Sequence, residues 1–187
     1  MPTISEMYNN SIAIHHDISE HMPILREYAG RVNSIVELGV RGGNSTVAFL
    51  SGLRKEAWIR GYDNWSESTV APDDILIMQA QAKSEGIDFE LVTANDLEIE
   101  IPECDLLFID TLHVEAQVTA ELKLHAPKVK KYIIFHDTIT FGLFSEEDGQ
   151  QHRGIMFSII RFLDNNPEWM VSKHFTYNNG LLILRKR

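Results

Sequence analysis

The chain has 187 residues, of which 44% are hydrophobic, and this length suits one domain with a substantial core. Its formal net charge of −10 disfavours nucleic acid and anionic membrane surfaces as partners, because long-range repulsion opposes their approach. The single cysteine, Cys104, excludes an internal disulfide, and we find neither a secretory signal pattern nor an apolar run long enough to span a bilayer. These features predict a cytoplasmic protein.

Residues 1–33 are predicted to be a helical segment that packs on the core. Ile24, Leu25 and Tyr28 have helical spacing, and Gly30 is expected to end the helix. Two roles for this segment stay open. It covers a binding site, or it forms a subunit contact in a homo-oligomer.

From residue 34 onward, predicted strands and helices alternate. The predicted strands cover residues 34–40, 58–63, 88–94, 104–110, 131–137, 169–175 and 181–187, and the predicted helices cover residues 45–53, 71–86, 114–129 and 154–166. Strands that are apolar on both faces are typical of a parallel sheet covered by helices on both sides. The sequence TYNNG before the last strand predicts an antiparallel hairpin. We therefore expect residues 34–187 to form one α/β domain with a doubly wound sheet, mostly parallel, helices on both faces and a C-terminal antiparallel hairpin.

Polar residues follow four of the predicted strands. In a doubly wound sheet the carboxyl ends of the parallel strands lie along one edge, where ligands bind, so these residues are expected to converge. The first of them belong to ELGVRGGNST, a tight turn before a helix that suits a nucleotide-like ligand, although a purely structural connection explains its glycines equally well. The binding candidates in this turn are Glu37, Gly39, Gly43 and Ser45.

Acidic and amide residues follow the second and third predicted strands. Asp63 stands about where an acid accepts hydrogen bonds from ribose hydroxyls in dinucleotide folds. Asn95 and Asp96 are candidates for the edge of an adenine pocket, and ordinary turn chemistry accounts for them equally well.

The fourth and fifth strands end in carboxylates and an imidazole. Two carboxylates in close proximity need a cation or a shifted pKa, so the sequence predicts a divalent metal held by Asp110, His136 and Asp137. Carboxylates favour Mg²⁺, Mn²⁺ or Ca²⁺, whereas a ligating histidine shifts the preference toward Mn²⁺, Fe²⁺ or Zn²⁺. A metal-free cluster with a protonated His136 is the alternative. Near Asp110, which we also expect to be catalytic, His113 is a candidate general base or a histidine bound to loop backbone.

These stretches resemble class I S-adenosylmethionine-dependent methyltransferases over residues 34–187. ELGVRGGNS resembles the first motif of that family, Asp63 its ribose-binding acid, and the final hairpin its antiparallel seventh strand. FIDTLH and IIFHDT are similar to the metal-dependent branches, the catechol O-methyltransferase-like and cephalosporin hydroxylase-like enzymes. The resemblance implies a Rossmann-like fold, S-adenosylmethionine as cofactor, and Mg²⁺ or a similar ion. It implies cofactor contacts from Glu37, Gly39, Gly43, Ser45 and Asp63, and metal ligation by Asp110, His136 and Asp137.

The sequence departs from that family at three points. Arg41 stands where many members have glycine or a small residue, a difference that bears on the fit of the cofactor's methionine end. His136 replaces the acid of catechol-type sites. The lysine that lies near the metal in those sites has no counterpart after Asp110, where TLHVE follows instead.

The predicted activity is O-methyl transfer to a small hydroxylated acceptor such as a sugar, a polyol or an aromatic compound. A metal would acidify the acceptor hydroxyl, His113 would help to remove its proton, and residues 141–152, FGLFSEEDGQQH, would form a mobile lid. Three alternatives stay open. They are a metal-dependent hydrolase using Asp110, His113, His136 and Asp137, a nicotinamide dehydrogenase, which the interrupted GxGxxG spacing disfavours, and a non-catalytic nucleotide-binding module.

Overall fold

The computed structural model of the chain describes residues 1–64, 72–147 and 152–187. In these ranges the predicted alternation of strands and helices is confirmed. The helices are α1 (Ile4–Ile12), α2 (Met22–Ala29), α3 (Asn44–Gly52), α4 (Pro72–Ser84), α5 (Glu115–His125) and α6 (Met156–Asn165). The strands are β1 (Ser34–Leu38), β2 (Trp58–Asp63), β3 (Asp88–Thr93), β4 (Cys104–Ile109), β5 (Val129–His136), β6 (Trp169–Phe175) and β7 (Leu181–Lys186).

Helix α1 lies within residues 1–33, which were predicted to be helical, but before the stretch from Ile24 onward in which helical spacing was identified. It begins with a capping box, in which the Thr3 hydroxyl accepts a hydrogen bond from the Glu6 backbone N–H and the Glu6 carboxylate accepts one from the Thr3 backbone N–H. The spacing of threonine and glutamate three residues apart is a recognised signal for a helix start.

The chain divides into two compact units, and the first comprises Met1–Asp96. Its strands are all parallel and lie in the order β3, β2, β1. Helix α3 packs against both α1 and α2. Tyr28 of α2, Phe49 of α3 and Ile59 of β2 are among its fully buried side chains, so the N-terminal helices are part of the packed core of this unit.

The second unit comprises Leu97–Arg187, with strands in the order β4, β5, β7, β6. Strands β4 and β5 are parallel, and β7 runs antiparallel to both β5 and β6, as the hairpin prediction required. All six residues of β4 are buried, including Cys104, as is expected of a strand covered on both faces. Helices α5 and α6 pack together through a 2.8 Å contact between the Thr119 and Ser158 hydroxyl oxygens.

The predicted fold class is confirmed. The described strands make up a mixed sheet, mostly parallel with an antiparallel C-terminal pair, and helices surround it in a Rossmann-like arrangement. No helix in the described ranges combines the length and hydropathy that crossing a membrane requires. The proposed boundary between residues 1–33 and 34–187 stays a prediction.

Candidate active site

A glycine-rich turn joins β1 to α3 in the first unit. Gly39 and Gly43 have φ values of 83° and 73°, in the left-handed region that glycine adopts without strain. A Cβ on Gly43 would lie 3.0 Å from the Met78 Cε atom, so the Met78 side chain would have to shift slightly to admit it. Arg41, between the two glycines, is also left-handed with a φ of 46°. The two glycines therefore allow a tight turn and place no side chain between its backbone and a ligand.

Glu37 stabilises this turn through hydrogen bonds to the start of α3. Its side chain is fully buried at the end of β1, where it accepts hydrogen bonds of 2.5 Å from the Ser45 hydroxyl and 2.8 Å from the Thr46 hydroxyl. The predicted cofactor residues Glu37 and Ser45 thus contact each other and shape the first turn of α3. Thr46 was not among the predicted site residues. The signal that could have identified it is an acid at the end of a strand followed by Ser-Thr at the start of the next helix.

Asp63, at the end of β2, binds the same turn. Its Oδ2 atom accepts hydrogen bonds from the backbone N–H groups of Val40, at 2.9 Å, and Arg41, at 2.8 Å. The acid expected to bind ribose therefore also fixes the turn. Asn95 is exposed after β3, and Asp96 begins a short 3₁₀ helix. Their role in an adenine pocket stays a prediction.

We expect the buried Glu37 carboxylate to contribute to stability. Glu37→Gln keeps the size of the side chain but weakens two charge-assisted hydrogen bonds, and should lower the free energy of unfolding by about 1–2 kcal/mol. The matched control Glu27→Gln removes an exposed carboxylate paired with Arg31, and should cost about 0.5 kcal/mol or less. Urea unfolding of both variants checks the difference. Equal midpoints would contradict a structural role for Glu37.

The second unit brings together four predicted residues. Asp110 follows β4, His113 lies in the next loop, His136 ends β5, and Asp137 comes directly after it. The Nε2 atom of His113 lies 3.2 Å from Asp110 Oδ1 and 3.3 Å from Asp137 Oδ2. The Nδ1 atom of His136 lies 3.3 Å and 3.6 Å from the same two oxygens. Two imidazoles therefore point at two carboxylates.

Glu146 is a further member of this group that the sequence analysis did not identify. Its Oε2 atom lies 2.8 Å from His113 Nδ1, and its Oε1 atom accepts a 3.1 Å hydrogen bond from the His113 backbone N–H. Phe141 stacks on the His113 ring, with centroids 5.0 Å apart. These contacts fix the ring orientation. No sequence signal distinguishes Glu146, because it stands in the acidic run SEED at residues 145–148. Residues 148–151 lie outside the described ranges.

The charges in this cluster are strongly coupled. Burial works to raise the pKa of the Asp110 carboxyl, but the charge of His136 and hydrogen bonds from His113 and His136 outweigh it, and this pKa lies well below its usual range. For His113, burial works to lower the pKa, but hydrogen bonds to Asp110 and Glu146 prevail and raise it to about 10. Burial raises the pKa of Asp137. Without a metal, His113 thus carries a proton at neutral pH.

The donor set also fits a divalent metal. Asp110, His113 and Asp137 each offer one ligand atom, and these atoms lie within 4.8 Å of one another. The buried Asp137 Oδ1 has no hydrogen-bond partner within the described residues, which leaves an oxygen lone pair for a cation or an acceptor hydroxyl. Geometry thus groups His113, rather than the predicted ligand His136, most closely with the two carboxylates.

The turn between β6 and β7 supports Asp137, which has a left-handed φ of 57°. The Asn179 carbonyl accepts hydrogen bonds from the Ile139 and Thr140 backbone N–H groups, at 2.8 and 3.1 Å. The Asn179 side chain hydrogen-bonds to Asp137, which opposes the effect of burial on the pKa of that carboxyl. The C-terminal hairpin therefore holds the loop that follows β5. The predicted motion of residues 141–152 as a lid stays a prediction.

Comparison with known proteins agrees with this architecture. A family model described as a methyltransferase domain matches residues 36–138, more than half of the chain. No curated protein sequence matches the chain at a significant level.

Solved methyltransferase structures share the fold. An O-methyltransferase from Bacillus cereus in complex with SAH is 16% identical, with a TM-score of 0.60, over 98% of this chain and 89% of that one. The SAH-bound methyltransferase PaMTH1 of Podospora anserina is 16% identical, with a TM-score of 0.62, over 100% of this chain and 89% of that one. The O-methyltransferase TomG of Streptomyces achromogenes in complex with SAM is 14% identical, with a TM-score of 0.59, over 90% of this chain and 80% of that one.

The family match covers the strand-end residues of both units up to Thr138, so it includes the glycine-rich turn as well as Asp110, His113, His136 and Asp137. The chain therefore belongs to the methyltransferase domain family and is a class I S-adenosylmethionine-dependent methyltransferase.

Proposed function

We propose that this methyltransferase acts on a hydroxyl group of a small acceptor, and that a divalent metal bound by Asp110, His113 and Asp137 activates that hydroxyl. The observation that carries the proposal is a group of two carboxylates and an imidazole, of which Asp137 is buried and the other two are half-buried, with ligand atoms within 4.8 Å of one another. The names of the similar structures from Bacillus cereus and Streptomyces achromogenes, both O-methyltransferases, support oxygen as the methylated atom.

Cofactor binding is assigned to the first unit. Gly39 and Gly43 allow a ligand to approach the backbone of the turn, while Glu37 and Ser45 hold its shape. Asp63 is the proposed ribose-binding residue, and its hydrogen bonds to the turn would couple ribose binding to the turn conformation. Asn95 and Asp96 are proposed to border the adenine.

The metal ligands are assigned by their contacts. Asp137 Oδ1 is buried and available, and Asp110 is held ionised by its histidine neighbours. Glu146 binds His113 through Nδ1 and so directs Nε2 toward the carboxylates, a second layer of contacts that is common around metal-binding histidines. His136 contacts Asp110 and is assigned to orient it. A mixed oxygen and nitrogen donor set suits Mn²⁺ or Fe²⁺ as well as Mg²⁺.

When bound, a divalent metal lowers the pKa of a hydroxyl that it contacts. Asp110 and Asp137 would supply the negative charge that retains the ion, and the burial of Asp137 would strengthen its attraction to the ion. His113 has two alternative roles, because its Nε2 atom cannot bind a metal and accept a proton at the same time. Ligation is preferred, since this Nε2 atom lies 3.2 Å from Asp110 Oδ1 and 3.3 Å from Asp137 Oδ2, the carboxylate oxygens that would share the ion.

The acceptor is proposed to be an uncharged hydroxylated compound: a sugar, a polyol or a small aromatic. Asp110, Asp137 and Glu146 make the site acidic, which disfavours phosphorylated acceptors. A metal-dependent hydrolase would use the same residues, but the methyltransferase family membership argues against it.

Titration of chelator-treated protein with Mn²⁺ tests the metal. Wild type should bind one ion, and Asp110→Asn should weaken binding by about 100-fold because a charged ligand is lost. The control Asp105→Asn changes a buried carboxylate at the opposite end of β4, about 17 Å along the strand, and should leave Mn²⁺ affinity unchanged. His113→Asn separates the two roles of His113, because loss of Mn²⁺ binding indicates ligation, whereas retained binding with low turnover indicates a base. Wild type that binds no Mn²⁺ would refute the metal proposal.

A further inference from the structure

Arg41 is the residue of the glycine-rich turn that the proposed function leaves without a role. It projects from the turn with its side chain 79% exposed, and its Nη1 atom lies 3.1 Å from the Asp17 Oδ2 atom. Its backbone N–H is fixed by Asp63, so the start of the side chain has a defined position. A guanidinium held at the surface of a ligand-binding turn is a carboxylate-binding group, because its N–H groups match the two oxygens of a carboxylate.

Asp17 belongs to the segment between α1 and α2, which lies against the turn. The Ser11 hydroxyl at the end of α1 donates a 2.7 Å hydrogen bond to the Asn44 side-chain oxygen at the start of α3. Beside this contact is a cavity of about 360 Å³, lined by His16, Asp17, Arg41, Gly42 and Asn44. All five lining residues belong to the first unit. The cavity is large enough for an amino-acid head group.

S-adenosylmethionine carries a single anionic group, the carboxylate of its methionine part. We infer that Arg41 binds this carboxylate, and that the Asp17 carboxylate occupies the same guanidinium when the cofactor is absent. The inference rests on the cofactor assignment in the proposed function. It makes residues 1–33 part of the cofactor site rather than only a covering of the core.

The exposure of the ion pair makes this exchange feasible. The Asp17 side chain is 42% exposed, and an exposed pair of this kind contributes little stability. A cofactor carboxylate can replace Asp17 at Arg41 while the adenosine part makes its own contacts. Asp17 then lowers the affinity for the cofactor slightly, by competition, and Arg41 raises it.

Two ligands that differ in the amino-acid part test this inference. S-adenosylhomocysteine has the carboxylate, whereas 5′-methylthioadenosine keeps the adenosine and the thioether but lacks the carboxylate. Calorimetric titrations of both ligands into Arg41→Gln should show S-adenosylhomocysteine bound about 10-fold more weakly than by wild type and 5′-methylthioadenosine bound equally well. Asp17→Asn should strengthen S-adenosylhomocysteine binding by about 2-fold to 5-fold, again without effect on 5′-methylthioadenosine.

The matched control is Arg31→Gln, which removes another exposed arginine of the first unit that is ion-paired with Glu27. It should change neither affinity. Equal effects of Arg41→Gln on both ligands, or no effect on either, would overturn the inference while leaving the proposed function intact. Wild type that binds neither ligand would overturn both, and wild type that binds only 5′-methylthioadenosine would overturn the inference. A thermal melt of each variant confirms that it is folded.

Discussion

Replacing Asp137 with asparagine is expected to lower turnover by about 100-fold or more, because the variant loses the charge of a buried residue that we propose as a metal ligand. Asparagine has the same shape and retains one oxygen, so the loop after β5 should keep its conformation. Binding of S-adenosylhomocysteine should stay unchanged, since the proposed cofactor residues all lie in the first unit. Methyl transfer to a panel of hydroxylated acceptors, together with calorimetry on the same preparation, measures both quantities.

The Asp105→Asn variant again serves as the control, because Asp105 is a buried carboxylate of the same unit that pairs with Lys131. It should retain full turnover. Chelation of wild type should reproduce the Asp137→Asn loss, and added Mn²⁺ or Mg²⁺ should restore wild type only. Full activity of Asp137→Asn, or of chelated wild type, would show that the cluster works without a metal and that the His113 proton balances its carboxylates instead.

Replacing Gly180 with alanine should destabilise the protein by about 4 kcal/mol or more. Gly180 has a φ of 93°, and a Cβ there would lie 2.6 Å from the Ile139 backbone nitrogen and 2.7 Å from the Thr138 hydroxyl oxygen. The Ile139 backbone cannot move away from a Cβ as easily as the end of a flexible side chain can. The melting temperature should therefore fall by at least about 8 °C. Because the same turn holds the loop that carries Asp137, Mn²⁺ affinity should fall as well.

Gly86→Ala provides the matched control. Gly86 has a similar φ of 83°, but the atoms nearest to a Cβ there would belong to the flexible Lys55 side chain, the first at an ordinary 3.5 Å. This variant should show only the conformational cost, about 1 kcal/mol, with a fall of about 2–4 °C and unchanged Mn²⁺ affinity. Equal melting temperatures for the two variants would contradict the tight packing between the hairpin turn and the loop after β5.

Some of the candidate site could be predicted because its signals are local. Asp110, His136 and Asp137 follow apolar strands directly, and the rule that parallel strands end at one edge is enough to group them. Asp63 and Glu37 were identified in the same way. Their contacts were not, since no strand pattern indicates that Asp63 accepts hydrogen bonds from Val40 and Arg41, or that Glu37 binds the hydroxyls at the start of α3.

Other members of the site come from segments far apart in sequence. Glu146 reaches His113 across 33 residues, and Asn179 reaches the loop after β5 from the C-terminal hairpin. The ion pair of Asp17 with Arg41 spans 24 residues. Such partners depend on the path of each loop, and loop paths have no hydrophobic period from which they could be predicted.

Periodicity and burial act over a few neighbouring residues, so they were enough to predict the order of strands and helices from β1 onward, the mostly parallel sheet with its antiparallel C-terminal strands, and the residues at the strand ends. The imidazole that lies closest to both carboxylates, the residues that orient it, and the contact of Asp17 with Arg41 are visible only once the chain is folded. These contacts depend on the packing of segments that are far apart in sequence, so the positions of the side chains in space, and not a local sequence pattern, determine which residues meet.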